Sequence, residues 1–176
     1  GGYGFYQCAA LGAVHFPDAA VSVGNQTFSG CAALTNITPR MFPENMTLTT
    51  RSFNYCTGLK GAVVFGKPGA FHLGEQSLNG CSGITSVDFS GCGGVSYGGA
   101  YGMSWMGALE KVVFPNGAVT FHGSAASIGS DKLKEIVFLG PPPTVGTKNP
   151  ISSTAKYMFR APRFRAEGAA WRAYLD

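Results

Sequence analysis

Five cysteines, three histidines and nine carboxylates are the residues of this 176-residue chain best suited to metal binding or catalysis. Cys8, Cys31, Cys56 and Cys81 follow one another at steps of 23, 25 and 25 residues, and Met106 takes the next place in the series. Zinc needs ligands gathered in a tight cluster such as Cys-x2-Cys. Evenly spaced positions in a repeating chain form a column instead. A methionine in the series fits an apolar slot that a free thiol also fills. Inert core thiols are therefore expected, although adjacent coils could bring one pair within disulfide reach of about 5 Å. Cys92, in Ser90-Gly91-Cys92-Gly93-Gly94, lies outside the column and is expected to be the exposed thiol. No neighbour in sequence activates it as a nucleophile.

His15, His72 and His122 occupy different places in the repeat and are not expected to converge on a metal. Glycosidase or lyase chemistry needs a convergent pair of carboxylates. Asp88 is the one acid expected in its outward strand column, with Val63 and Val113 as its predicted neighbours on adjoining strands. Gly91-x-Gly93-Gly94 and Gly98-Gly99 lack the lysine and following helix of a phosphate-binding loop, so they read as turns. No catalytic residue, metal site or cofactor is expected.

The elements that position these residues come from a repeat. Phe28-x-x-Cys31-x-x-Leu34 returns as Phe53-x-x-Cys56-x-x-Leu59 and Leu78-x-x-Cys81-x-x-Ile84, with Phe5 to Leu11 and Met103 to Leu109 as looser copies. The closing residues Leu11, Leu34, Leu59, Ile84, Leu109 and Leu133 are spaced by 23, 25, 25, 25 and 24 residues. A fixed period in the twenties marked by an apolar ladder predicts a solenoid, stabilised by stacking of units that cannot bury a core alone. Each Leu or Ile opens a segment apolar at its first, fourth and sixth places, as in Ile84-Thr85-Ser86-Val87-Asp88-Phe89, which predicts a short strand. Proline and glycine then mark a turn. A second apolar pair such as Phe71/Leu73 or Val119/Phe121 predicts another short extended segment. The stretch before each Cys is expected to be a helical turn or short 3-10 piece.

The expected architecture is a right-handed solenoid of about six coils over residues 1–143, with a truncated first repeat at 1–10 and a cap over 144–176. Only 12% of residues are charged, while the 45% hydrophobic content and the strict repeat argue against disorder. The segment from Lys132 to Asp176 carries eight basic residues against three acids, which reads as a solvated cap rather than a nucleic-acid surface. No run of about 18 apolar residues predicts a membrane span. The opening Gly1-Gly2 suggests a fragment from which a signal or upstream region has been removed.

The spacing Phe28-x-x-Cys31-x-x-Leu34-x-x-Ile37 resembles the BspA-type leucine-rich repeat of bacterial, Bacteroides-like surface proteins. The run Tyr157 to Pro162 with Trp171-Arg172-Ala173-Tyr174 is similar to the closing segment of such arrays, so the resemblance covers roughly residues 5 to 175. Met106 and Ser130 replace the cysteine, and the longer third repeat predicts irregular coils in the middle. The resemblance implies a non-enzymatic, cell-surface or secreted adhesion module. Its implied partners are host extracellular-matrix proteins of the fibronectin or fibrinogen type, or another cell-surface protein.

The strand face is the expected recognition surface, because solenoid strands present an extended shallow groove. Its predicted outward columns run Ala13, Asn36, Gly61, Ser86, Lys111, Glu135 and His15, Thr38, Val63, Asp88, Val113, Val137. Lys111, Val113, Asp88, Val137 and His15 are the candidate binding residues. A carbohydrate-binding β-solenoid is the first alternative, with Tyr97, Tyr101 and Trp105 as its aromatic cluster and no acid pair for cleavage. A structural spacer within a larger envelope protein is the second.

Overall fold

The apolar 1-4-6 segments form the strands β1 (Ala13–His15), β3 (Asn36–Thr38), β6 (Lys60–Phe65), β8 (Gly83–Asp88), β10 (Lys111–Phe114) and β12 (Glu135–Phe138). The second apolar pairs form β2 (Ser22–Val23), β5 (Thr47–Leu48), β7 (Ala70–Leu73), β9 (Gly94–Tyr97), β11 (Ala118–Phe121) and β13 (Thr144–Val145). Two further strands are β4 (Met41–Phe42) and β14 (Arg163–Arg165). The structure, a computed structural model, describes residues 1–17, 22–38, 41–42, 46–66, 69–122, 128–145 and 163–165.

Every pairing is parallel, as a chain that returns to the same edge once per coil requires. One six-stranded sheet runs β14-β12-β10-β8-β6-β4, a second runs β13-β11-β9-β7-β5-β2, and β1 pairs with β3 in a separate ribbon. The expected parallel-strand solenoid is therefore formed. Most of the expected 144–176 cap lies outside the described residues; what is described there, β13 and β14, extends the two sheets.

Between the sheets the repeat builds its core column by column. Leu34, Ile84 and Leu109 are fully buried, as are Val87, Val112 and Ile136 behind the strands. Phenylalanines stack coil on coil: Phe5, Phe28 and Phe53 at 5.2 and 5.1 Å between ring centroids, then Phe65, Phe89, Phe114 and Phe138 at 5.1, 5.8 and 4.7 Å. The near-parallel rings match the coil-to-coil rise of about 4.8 Å set by strand hydrogen bonding.

The third side of each coil is a run of turns, and the expected helical piece does not form among the described residues. Alternate residues point their N–H groups in different directions. Ser29 and Cys31 bond back three residues, to Gln26 and Phe28, while Phe28 and Gly30 bond forward to Ser52 and Asn54 of the next coil. A helix would consume all of those donors within its own coil. Two left-handed residues four apart break it, at 3/7, 26/30, 51/55, 76/80 and 101/105. The arm is thus a ladder between coils, like a sheet, while curling tightly enough to turn the chain.

The regular stacking is interrupted at the third repeat. β6 carries one extra residue, absorbed as a bulge between Gly61 and Ala62, with Gly61 at φ 79°. The bulge shifts the predicted columns: Ala62, not Gly61, pairs with Ser86, and Val64, not Val63, pairs with Asp88. Val63 aligns with Val87 and packs against the core. On its other edge β6 pairs with β4 rather than β3, and a cavity of about 50 Å³ opens there against Ile37, Leu59 and Val63.

Candidate functional site

The first sheet brings four of the predicted binding residues together. β8, β10 and β12 hold Asp88, Val113 and Val137 in one column and Ser86, Lys111 and Glu135 in the next. Alternation along a strand sends these columns outward while Val87, Val112 and Ile136 face the core. Lys111 Nζ lies 2.8 Å from Glu135 Oε2, so its charge is matched within the face. Asp88 is half-buried, and its Oδ1 accepts the Ser90 N–H at 2.7 Å, which ties it to the following turn. Val113 is half-buried, whereas Val137 is buried. His15 stands apart on the β1–β3 ribbon, with Nδ1 at 2.9 Å from Thr38 Oγ1.

The cysteine column is a structural device. Cys31, Cys56 and Cys81 are fully buried, and each Sγ donates to the carbonyl of Phe5, Phe28 or Phe53 in the preceding coil at 3.0 Å. All five cysteines are free thiols. Burial pushes the Cys56 and Cys81 thiols up, Cys81 to about 12, which removes the thiolate that nucleophilic chemistry needs. Cys92 corrects the sequence reading: it is buried, and Cys8 is the exposed thiol. The tight turn rolls Cys92 inward against Gly66, where a β-carbon would lie 2.3 Å from its sulfur. Its Sγ donates to the Phe65 carbonyl at 3.3 Å, and burial, then the Asp88 charge, pushes its pKa up to about 12.

His72 is half-buried beside Ser96 Oγ at 3.4 Å, and burial, followed by the His122 charge, lowers its pKa. Among the described residues no three of His, Cys, Asp and Glu gather to hold a metal ion.

On the turn side the structure brings forward residues that sequence reasoning grouped differently. Of the proposed aromatic cluster, Tyr97 belongs to the core: it is fully buried and packs on Phe121 at 5.5 Å between centroids. Burial drives its phenol pKa far upward. Tyr101 and Trp105 instead stand in solvent, Trp105 at 75% exposure. Trp105 occupies the slot just before the cysteine place, in a column reading Gln7, Gly30, Tyr55, Gly80 and Trp105. All five take positive φ, from 55° at Gln7 and Tyr55 to 78° at Gly30. The Tyr55 ring lies over Gly80, where a β-carbon would come within 2.4 Å of Cδ1. Tyr101 belongs to the parallel column Tyr3, Gln26, Arg51, Gln76 and Tyr101, in which Gln26 Nε2 donates to Tyr3 Oη at 3.1 Å and Arg51 Nε to Gln76 Oε1 at 2.7 Å. The sequence signal was the pair of 25-residue steps that aligns Tyr55 with Trp105 through Gly80, one place ahead of each cysteine or its substitute.

A profile of the BspA type leucine rich repeat region matches residues 1–134 in six copies. The chain belongs to the BspA-type leucine-rich repeat family. This membership agrees with the parallel-strand solenoid and with the cysteine and leucine columns that build it. No curated protein and no solved structure matches the chain. BspA-type repeats form a solenoid of a class whose members are typically non-enzymatic. No helix among the described residues is long and apolar enough to cross a membrane.

Proposed function

We propose that this BspA-type chain is a surface-exposed or secreted, non-enzymatic binding module that engages a protein through the outward face of its first sheet. Adhesion to an extracellular-matrix protein of the fibronectin or fibrinogen type is the expectation that the family carries. One observation supports the reading: past the bulge at Gly61/Ala62, β6, β8, β10 and β12 run in register, so two outward columns cross four strands without an aromatic side chain. Such a flat, shallow surface suits an extended or loop-bearing partner better than a small ligand. With Lys111 paired to Glu135, recognition would come from shape and from the half-buried Val64 and Val113 rather than from net charge.

Immobilised fibronectin and fibrinogen, probed with the chain at physiological salt, test this reading. Saturable binding, little affected by raised salt and abolished by Val113→Arg in a variant that still melts cooperatively, is the expected result. Binding that disappears at high salt would move recognition to the basic C-terminal segment. Absence of binding to both proteins would favour a spacer role within a larger envelope protein.

A further inference from the structure

The column before the cysteines contains a choice that folding does not explain. Every residue in it adopts a left-handed backbone, a region that disfavours bulky L side chains and suits glycine. Two of the five coils use glycine there, Gly30 and Gly80, so this arm folds without a side chain at that place. Yet the fifth coil carries Trp105, at φ 56° and 75% exposed, and the third carries Tyr55, at φ 55° and 53% exposed. Large aromatics are mostly buried in folded chains, and exposed apolar surface with a polar rim marks an interaction site. The Trp105 ring contributes little to the core, and its backbone position is an unfavourable one.

Beside it lies an open cleft of about 510 Å³ lined by Tyr101, Ser104, Trp105, Ser130 and Asp131, with Gly107 and Gly129 keeping its floor low. Two exposed aromatic rings offer flat apolar faces, and the exposed Asp131 carboxylate offers hydrogen-bond acceptors. Ser104 and Ser130 are buried in the wall, with Ser130 Oγ accepting the Lys132 N–H at 3.1 Å. A pyranose ring has the complementary chemistry, with one face of C–H groups and an equator of hydroxyls. Asp131 is the single ionic group among the described residues lining the cleft; it accepts from hydroxyls and repels anionic sugars. Tyr55 occupies the equivalent position two coils away, about 10 Å along the axis at the usual inter-strand rise. With the Tyr55 ring covering Gly80 between them, that distance allows one extended oligosaccharide to span both aromatic steps.

We propose that this turn face carries a carbohydrate site, in which Trp105 and Tyr101 stack a ring of a neutral oligosaccharide beside the Asp131 carboxylate. It is separate from the strand face, so either surface can bind without the other.

Isothermal titration of the whole chain with an array of neutral tetrasaccharides (cello-, laminari- and galacto-series among them) tests the proposal, with a heparin tetrasaccharide as the acidic control. Trp171→Phe leaves Trp105 as the only tryptophan, so its emission reports contact directly. The expected result is binding of a neutral tetrasaccharide with a shift in Trp105 emission. Trp105→Ala should weaken it by about tenfold or more, Trp105→Phe should restore part of it, and the melting temperature should not fall. Tyr55→Ala should weaken the tetrasaccharide but not the disaccharide of the same series, titrated alongside it, and Val113→Arg should change neither. No neutral sugar bound at millimolar concentration, binding that survives Trp105→Ala, or a preference for heparin would each overturn the proposal. So would a protein ligand lost on Trp105→Ala while every sugar stays unbound.

Discussion

Along the first sheet, neighbouring coils meet through ordinary strands, and the side chains between them can vary: Ser86, Lys111 and Glu135 share one column, Asp88, Val113 and Val137 the next. Along the turn arm, neighbouring coils also meet through backbone hydrogen bonds, but the column before the cysteines is fixed in a left-handed conformation and filled by Gln, Gly, Tyr, Gly and Trp. The sheet tolerates variety because extended backbone suits most residues. The arm accepts few residues without cost. A large side chain on the sheet face therefore carries little information, whereas Trp105 on the arm carries a good deal.

If the core columns common to both regions hold the coils together, Leu109→Ala should have the largest effect. Leu109 is fully buried, and its loss should cost about 2–5 kcal/mol. Thr85→Ala, at an exposed strand position, should be almost silent. Equal melting temperatures for the two would break the register on which the comparison rests.

A middle-sized effect should separate two substitutions in one arm column. Gly80→Ala introduces a β-carbon at φ 73° and 2.4 Å from the Tyr55 ring, and should destabilise by about 1–3 kcal/mol. Adding Tyr55→Ala should recover the steric part, which a double-mutant cycle would resolve. Trp105→Gly should hold or raise the melting temperature, because glycine suits φ 56° and the indole buries little. A large loss on Trp105→Gly would give the indole a packing role and remove the reason for assigning it a ligand.

The smallest effect belongs to the sheet. Lys111→Ala breaks an ion pair whose side chains are 45% and 22% exposed, so denaturant melts should shift by less than about 1 kcal/mol, and less still at high salt. A larger shift would mean that the outward columns are more tightly constrained than the arm, reversing the comparison.

Much of the fold was legible in the sequence because stacking repeats write the same demand many times. Leu109 or Cys81 alone says little, but aligned with its counterparts each declares a buried slot. Singular features were less legible. Cys92 has no counterpart in the cysteine column, and only the packing of its turn onto Gly66 shows that it is buried. Tyr97 and Tyr101 are four residues apart in one aromatic cluster of the sequence, yet one fills the core and the other meets solvent, because the chain leaves the β9 strand between them.

The sequence by itself determined the period, the two strands per coil, the apolar columns and the family, since each follows from residue types recurring at fixed steps. Tertiary structure alone decided where the extra residue of the third repeat is absorbed, and hence that Ala62 and Val64 join the outward columns. It also decided that the arm is a left-handed turn ladder rather than a helical piece. A pattern of residue types can specify which side chains are buried. Which N–H bonds within its own coil and which to the next is settled only when the neighbouring coil is in place to accept it.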